Sequence, residues 1–141
     1  MAGETQAASP ESLREMIDRD SFAGCLGAVM EEVRPGYARA RMPLDARHRN
    51  FMQMVHGGAI FGLADVAFGA CANSFGTKAV AVHVGIDYLD APGETPFLVA
   101  EVEQVGRAGK VGHYSMRVAT GEGRVIATCS GWAYHTGRPL D

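Results

Sequence analysis

His56-Gly57-Gly58-Ala59-Ile60-Phe61-Gly62-Leu63-Ala64-Asp65-Val66-Ala67-Phe68-Gly69-Ala70-Cys71-Ala72-Asn73-Ser74 is the stretch whose reading decides the fold of this 141-residue chain. From Ala59 to Ala72 every position but Asp65 is apolar or glycine. The run is long for a strand and too short to cross a bilayer, so it reads as a buried helix. A helix apolar on all sides has protein around most of its circumference. Its small residues (Gly62, Ala64, Ala67, Gly69, Ala70, Ala72) let other backbones come close, although the glycines cost helix propensity. A carboxylate in such a place is expensive unless it is paired, hydrogen-bonded or facing a wet cavity. Asp65 is therefore the first functional candidate. At the helix start, Gly57 and Gly58 leave backbone N–H groups uncovered where no intrahelical acceptor exists and the helix dipole favours negative charge. One helix thus offers an oxyanion site and a carboxylate. They are eight residues apart in sequence, roughly 12 Å along the axis, too far to act together within one chain. If both serve one reaction, two copies of the helix run antiparallel, in a two-fold dimer with composite sites.

Working outward, Ser9-Pro10-Glu11-Ser12 is a helix start with Ser9 as N-cap, and Leu13, Met16 and Ile17 form an apolar stripe. Met1 to Ser9 reads as loosely attached. Cys25 to Val33 and Tyr37 to Met42 read as strands around the Pro35-Gly36 turn, with Ala38, Ala40 and Met42 on one side of the second. Leu44 to Val55 is a long connection, of a kind that is often functional. Beyond the helix, Val80, Val82, Val84, Ile86 and Tyr88 alternate with Ala81, His83, Gly85 and Asp87. Three more strands follow at Phe97 to Val105, Val111 to Thr120 and Arg124 to His135. Gly106-Arg107-Ala108-Gly109-Lys110 and Gly121-Glu122-Gly123 connect them as hairpins. This order predicts an α+β fold, an antiparallel sheet (read as a meander) wrapped around one long central helix. The division expected is an N-terminal tail and short helix over 1–20, one domain over 21–136 and a loose tail over 137–141. Exposed sheet edges would be covered by pairing across a dimer.

Composition narrows the function. The chain carries 13 Lys and Arg against 16 Asp and Glu, with no basic run, so nucleic acid is not an expected partner. Cys25, Cys71 and Cys129 form no Cys-x-x-Cys pair and read as reduced, buried thiols of a cytoplasmic protein. The N-terminus has no apolar segment of the secretory kind and no stretch reads as a membrane span. His48, His83, His113 and His135 lack metal-ligand spacing, so no metal is expected. No Ser sits in Gly-x-Ser-x-Gly, and no phosphate loop has its strand-loop-helix setting.

Asn50, then five residues, then His56-Gly57-Gly58, Leu63-Ala64-Asp65 and Asn73-Ser74 resemble the hotdog-fold thioesterases of the PaaI (phenylacetic acid degradation) type. Ile86-Asp87-Tyr88-Leu89 with Pro92 is similar to that family's third strand, and the likeness runs from about Ser21 to His135. The resemblance implies hydrolysis of acyl-coenzyme A thioesters by dimers or tetramers of dimers, with no cofactor beyond the coenzyme A of the substrate. It makes Asp65 the general base or nucleophile and the Gly57 N–H the donor that polarises the thioester carbonyl. It gives Asn50 a part in positioning the thioester or water, and His56 a part in supporting the loop or the carbonyl. Two departures stand out. Phe51-Met52-Gln53-Met54-Val55 is bulkier than the usual small, Gly-containing segment. Where some relatives carry a Ser or Thr that helps hold the water, Ala81 stands with His83 as its polar neighbour.

Each candidate has a bland counterpart. Asp65 could be a structural carboxylate held by backbone donors or an arginine, and Asn50 a turn cap. His56 reads first as a hydrogen-bonded histidine fixing its loop. Gly58, Met54, Phe61, Phe68 and His83 complete the expected substrate contacts, although Met54, Phe61 and Phe68 also suit a core. Arg107 and Lys110 are placed to meet coenzyme A phosphates or simply to decorate a solvated hairpin. Two rival functions remain at this level: a hotdog hydratase or dehydratase on acyl thioesters, and a non-catalytic acyl-coenzyme A-binding module.

Overall fold

The expected central helix, α3, spans Gly57–Ala72 and lies across a six-stranded antiparallel sheet. A computed structural model describes residues 10–140. Before α3 come α1 (Pro10–Ile17), α2 (Ser21–Leu26), β1 (Val29–Arg34), β2 (Tyr37–Pro43) and a short 3-10 turn (Ala46–His48). After it come β3 (Thr77–Tyr88), β4 (Phe97–Ala108), β5 (Val111–Thr120) and β6 (Val125–Pro139). The expected Ser9 N-cap and the segment Met1 to Ser9 lie outside the described residues.

Strand alternation builds the core. Ala38, Ala40 and Met42 of β2, Leu98, Ala100 and Val102 of β4, and Tyr114, Met116 and Val118 of β5 all point at α3 and are buried. The helix answers with Ile60, Leu63, Ala64, Ala67 and Cys71. Burying each large aliphatic chain here contributes on the order of 1.5–3 kcal/mol. The helix rests close to the sheet because β6 is bare at Gly131. A Cβ there would stand 2.6 Å from Met116 Cε and 3.0 Å from Phe68 Cζ. Phe68 uses that space to meet Tyr114 edge-on, with ring centroids 5.3 Å apart.

The pairing departs from a meander. The order is β1-β2-β4-β5-β6-β3, so β3 skips β4 and pairs with β6 at the far edge. The β3–β4 connection, Leu89 to Pro96, therefore crosses an end of the sheet instead of turning a hairpin. Irregular register between Ala81 and His83 breaks the alternation read along β3. Ala79 is buried opposite His135, whereas Val80 and Val82 are 56% and 61% exposed.

Smaller differences have local causes. The residues Ser21 to Leu26 form α2, not the start of a strand: the Asp20 carboxylate accepts from the N–H groups of Phe22 (3.0 Å) and Ala23 (3.1 Å), and Gly27 ends the turn at φ 73°. Cys25 on this helix is exposed, against the expectation of three buried thiols, while Cys71 and Cys129 are buried. Gly106 to Ala108 belong to β4, leaving Gly109-Lys110 as the turn. Residues 137–139 continue β6, with Pro139 opposite Thr77, and the Leu140 N–H reaches the Gly76 carbonyl at 3.3 Å. The N-terminal helices pack on the body: α1 through buried Leu13 and an Arg14 bond to the Met30 carbonyl, α2 against α3 at Gly62.

Candidate active site

The connection before α3 is tied down by short-range polar contacts. The Asn50 side-chain oxygen accepts from the N–H groups of Met52 (2.9 Å) and Met54 (3.2 Å), and the Asn50 N–H donates to the Met54 carbonyl at 2.8 Å. Asn50 is thus a turn former whose amide NH₂ has no partner among the described residues. Within the turn Gln53 adopts φ 61°, the left-handed region a side chain seldom takes. The turn presents Phe51, 91% exposed, together with exposed Met52 and Met54.

His48 anchors the same segment from below, a role that its sequence setting did not signal. It is buried; its Nδ1 accepts from the Asp45 N–H at 3.0 Å, so its Nε2–H donates to the Leu26 carbonyl at 2.6 Å. The His48 carbonyl in turn receives the His56 N–H at 2.7 Å.

His56 is the N-cap of α3, with φ −64° and ψ 133°, and its Nδ1 accepts the Gly58 N–H at 2.8 Å. Gly58 makes room for that imidazole, since a Cβ there would lie 2.9 Å from Nδ1. The Gly58 N–H is therefore engaged within the chain by a capping bond. Among the described residues no acceptor takes the Gly57 N–H, which leaves it as the open donor at the helix start. Tyr88, at the end of β3, donates its hydroxyl to the Gly57 carbonyl at 2.9 Å. Sequence reading placed Tyr88 on a strand but had no means of seeing it reach the helix 31 residues away. Removing this bond by Tyr88→Phe is expected to cut kcat several-fold while KM changes little, since a hydrogen bond of this kind contributes about 0.5–1.5 kcal/mol. Steady-state kinetics of the purified variant checks this.

Asp65 lies two turns further along α3, exposed in the single chain on the side of the helix turned from the sheet. Among the described residues its carboxylate has no hydrogen-bond or ion-pair partner, so the reading of it as a satisfied structural carboxylate finds no support. Loss of hydration beside apolar walls, and then the charge of Asp20, push its pKa above the ordinary 3.8. It borders a cavity of about 470 Å³ closed by α1 and α2.

The remaining candidates scatter. Phe68 is core, and Phe61 is half-buried. His83 faces the outer side of the sheet, on the same side as Gly85 and opposite Trp132 on β6, away from α3. Arg107 and Lys110 are exposed at the β4–β5 turn, where Arg107 Nε donates to the Gly109 carbonyl at 2.8 Å. That turn adjoins the start of β3 through the His135 N–H bond to the Lys110 carbonyl, so within one protomer it lies at the opposite end of the sheet from Gly57. Among the described residues no cluster of His, Cys, Asp and Glu has metal-binding geometry, and no helix is long and apolar enough to cross a membrane.

Comparison with known proteins agrees with the fold. The family model described as a domain of unknown function, DUF4442, matches residues 14–113. The chain is 37% identical over 119 residues to a putative esterase of Archaeoglobus fulgidus, covering 84% of this chain and 77% of that one. It is 31% identical over 128 residues to the acyl-coenzyme A thioesterase PaaI of Escherichia coli, covering 90% and 91% of the two chains. The solved structure of the E. coli PaaI protein superposes with a TM-score of 0.86 at 28% identity, over 93% of this chain and 95% of the other.

Proposed function

We propose that this chain, which belongs to the PaaI-type family of hotdog thioesterases, hydrolyses acyl-coenzyme A thioesters at composite sites in a two-fold dimer. The observation that carries this reading is the pairing, on one helix, of an open Gly57 N–H with an unpartnered Asp65 whose carboxyl is biased toward holding a proton. The name of the E. coli relative supports the substrate class.

The chemistry follows from the two groups. The thioester carbonyl oxygen accepts from the Gly57 N–H of one protomer, helped by the positive end of α3. The partner subunit's Asp65 takes a proton from water as the water oxygen bonds to the carbonyl carbon. Collapse of the tetrahedral adduct breaks the C–S bond, and the proton held on Asp65 goes to the departing thiolate. Direct attack by the carboxylate, with hydrolysis of the resulting anhydride, uses the same geometry. The NH₂ of Asn50 and the Nε2–H of His56 are the further donors at this end of the helix. No cofactor is called for beyond the coenzyme A carried by the substrate.

The edge strand supports the dimer. β3 has β6 on one side only and exposes Val80 and Val82, a strand edge that a second copy would cover. Antiparallel pairing of β3 with its copy sets the start of each β3 beside the end of the other. This brings the partner's Gly57 toward the end that carries Arg107 and Lys110, where both can meet phosphate groups of coenzyme A. A tetramer would be formed by two such dimers.

Thiol release from a panel of acyl-coenzyme A esters tests the reading, and the absence of free thiol with every ester would overturn it. The same assay gives a pH dependence. Only ionised Asp65 can accept a proton, and its pKa lies above 3.8. The kcat/KM is therefore expected to hold at neutral pH and fall with acid through a limb above that value. A limb at or below the ordinary carboxylate value contradicts the assignment.

A further inference from the structure

We infer that the cleft between α3 and the N-terminal helices is the acyl-chain pocket, and that the bare backbone at Gly69 sets the length of chain it accepts. This rests on the thioesterase reading above and adds to it the site and limit of the acyl group.

The cavity of about 470 Å³ beside Asp65 is walled by Leu13, Met16 and Ile17 of α1 and Phe22 of α2, with Leu140 at the far end. Its size lies in the range of small-molecule sites, roughly 300–1,000 Å³, and the polar side chains that join Asp65 in its lining are Asp20 and Asn73. A thioester carbonyl placed for attack beside Asp65 has its acyl carbons next to these walls. Gly69 stands one helical turn beyond Asp65, roughly 6 Å along the axis. An acyl chain that runs from Asp65 toward Leu140 passes over it.

Gly69 is the informative residue because packing inside the chain does not require it. Glycine in a helix interior costs about 1 kcal/mol relative to alanine. At Gly62 that cost has an internal reason, since a Cβ would stand 2.8 Å from Leu26 Cδ1. Gly58 has one in the His56 ring, as described. A Cβ at Gly69 would meet nothing within 4 Å, and the residue is exposed in the cavity wall. The other polar side chains of the cleft are engaged within the chain: Asn73 bonds the Gly69 and Ala79 backbones at 2.8 to 3.2 Å, and the Asp20 carboxylate accepts from the Phe22 and Ala23 N–H groups at 3.0 and 3.1 Å. What remains for the open space is an apolar group from outside the chain.

Gly69→Leu projects into that space from a Cβ with no neighbour within 4 Å and raises helix propensity, so the variant is expected to fold. Its kcat/KM should be compared with wild type over straight-chain acyl-coenzyme A esters from acetyl to dodecanoyl, with size-exclusion chromatography alongside. The expected result is a fall of about tenfold for each pair of methylenes excluded, with the acetyl ester within about twofold of wild type. Met16→Ala, which deepens the cleft, is expected to move the preference toward longer chains. An equal effect on all esters, or an unchanged profile in both variants, overturns the pocket while leaving the thioesterase reading intact. Loss of the dimer in Gly69→Leu also overturns it, because the cleft is then a contact between copies. A wild-type protein that hydrolyses none of the esters overturns the thioesterase reading itself, and the pocket with it.

Discussion

Asp65→Asn is expected to lower kcat by about 10²–10⁴-fold, the typical contribution of a positioned general base, while the protein keeps its fold and its oligomeric state. The exchange preserves shape and removes the carboxylate that would accept the proton of water and then release it to a thiolate; Asp20, the other carboxylate lining the cleft, already accepts from the Phe22 and Ala23 N–H groups. Stability should move the other way. The folded pKa of Asp65 is raised, so the native state holds its proton more tightly than the unfolded chain does. Such a group lowers stability as pH rises through that window, and at neutral pH the ionised carboxylate destabilises the fold. The Asn variant should therefore melt at the wild-type temperature or above it. A variant that loses activity together with its melting temperature would make Asp65 structural; near-normal hydrolysis would remove it from the mechanism.

The second large effect concerns the other end of the helix. Gly57→Pro deletes the open N–H at a position where helices tolerate proline, and the ψ of 133° at His56 already suits a following proline. The added ring must displace the Tyr88 hydroxyl slightly, since a Cβ at this point stands 3.2 Å from it. A loss of about 10²–10³-fold is expected from removing one oxyanion donor. Mixing the two inactive variants gives the decisive result. In a mixed dimer one site joins an intact Gly57 with an intact Asp65 and the other joins the two lesions. Each verified heterodimer should therefore recover about half the wild-type rate. Failure to recover would place the two groups in separate sites.

Local chemistry made much of this fold legible. The apolar run, interrupted only at Asp65, announced α3, and the inward set Ala38, Ala40 and Met42 was readable from strand alternation alone. What could not be read was pairing between distant segments. Nothing near Thr77–Tyr88 says that β3 must lie beside β6, because a register is chosen by the whole sheet. The irregularity between Ala81 and His83 likewise leaves Val80 and Val82 exposed against the simple alternation, while His83 stays on the outer side with Gly85. Asp20 as the cap of α2 was visible as a residue type, but the apolar character of Cys25 and Leu26 suited a strand equally well.

The candidate site shows the same division. Asp65 and Gly57 stood out because each was anomalous where it stood, a charge in an apolar run and a bare helix entry. Tyr88 and His48 were not anomalous in sequence. Their importance comes from bonds to Gly57 and Leu26 across 31 and 22 residues, which no local pattern encodes.

The missing side chain at Gly131 bears on where Asp65 stands. Phe68 lies three positions after the carboxylate on the same rigid rod, and its ring drops into the hollow that this glycine leaves. The elevation of the acid above the sheet is thus gauged by an absent methyl on the floor beneath it. The reaction proposed between two protomers would take its working clearance from a residue buried beneath the helix, out of reach of the substrate.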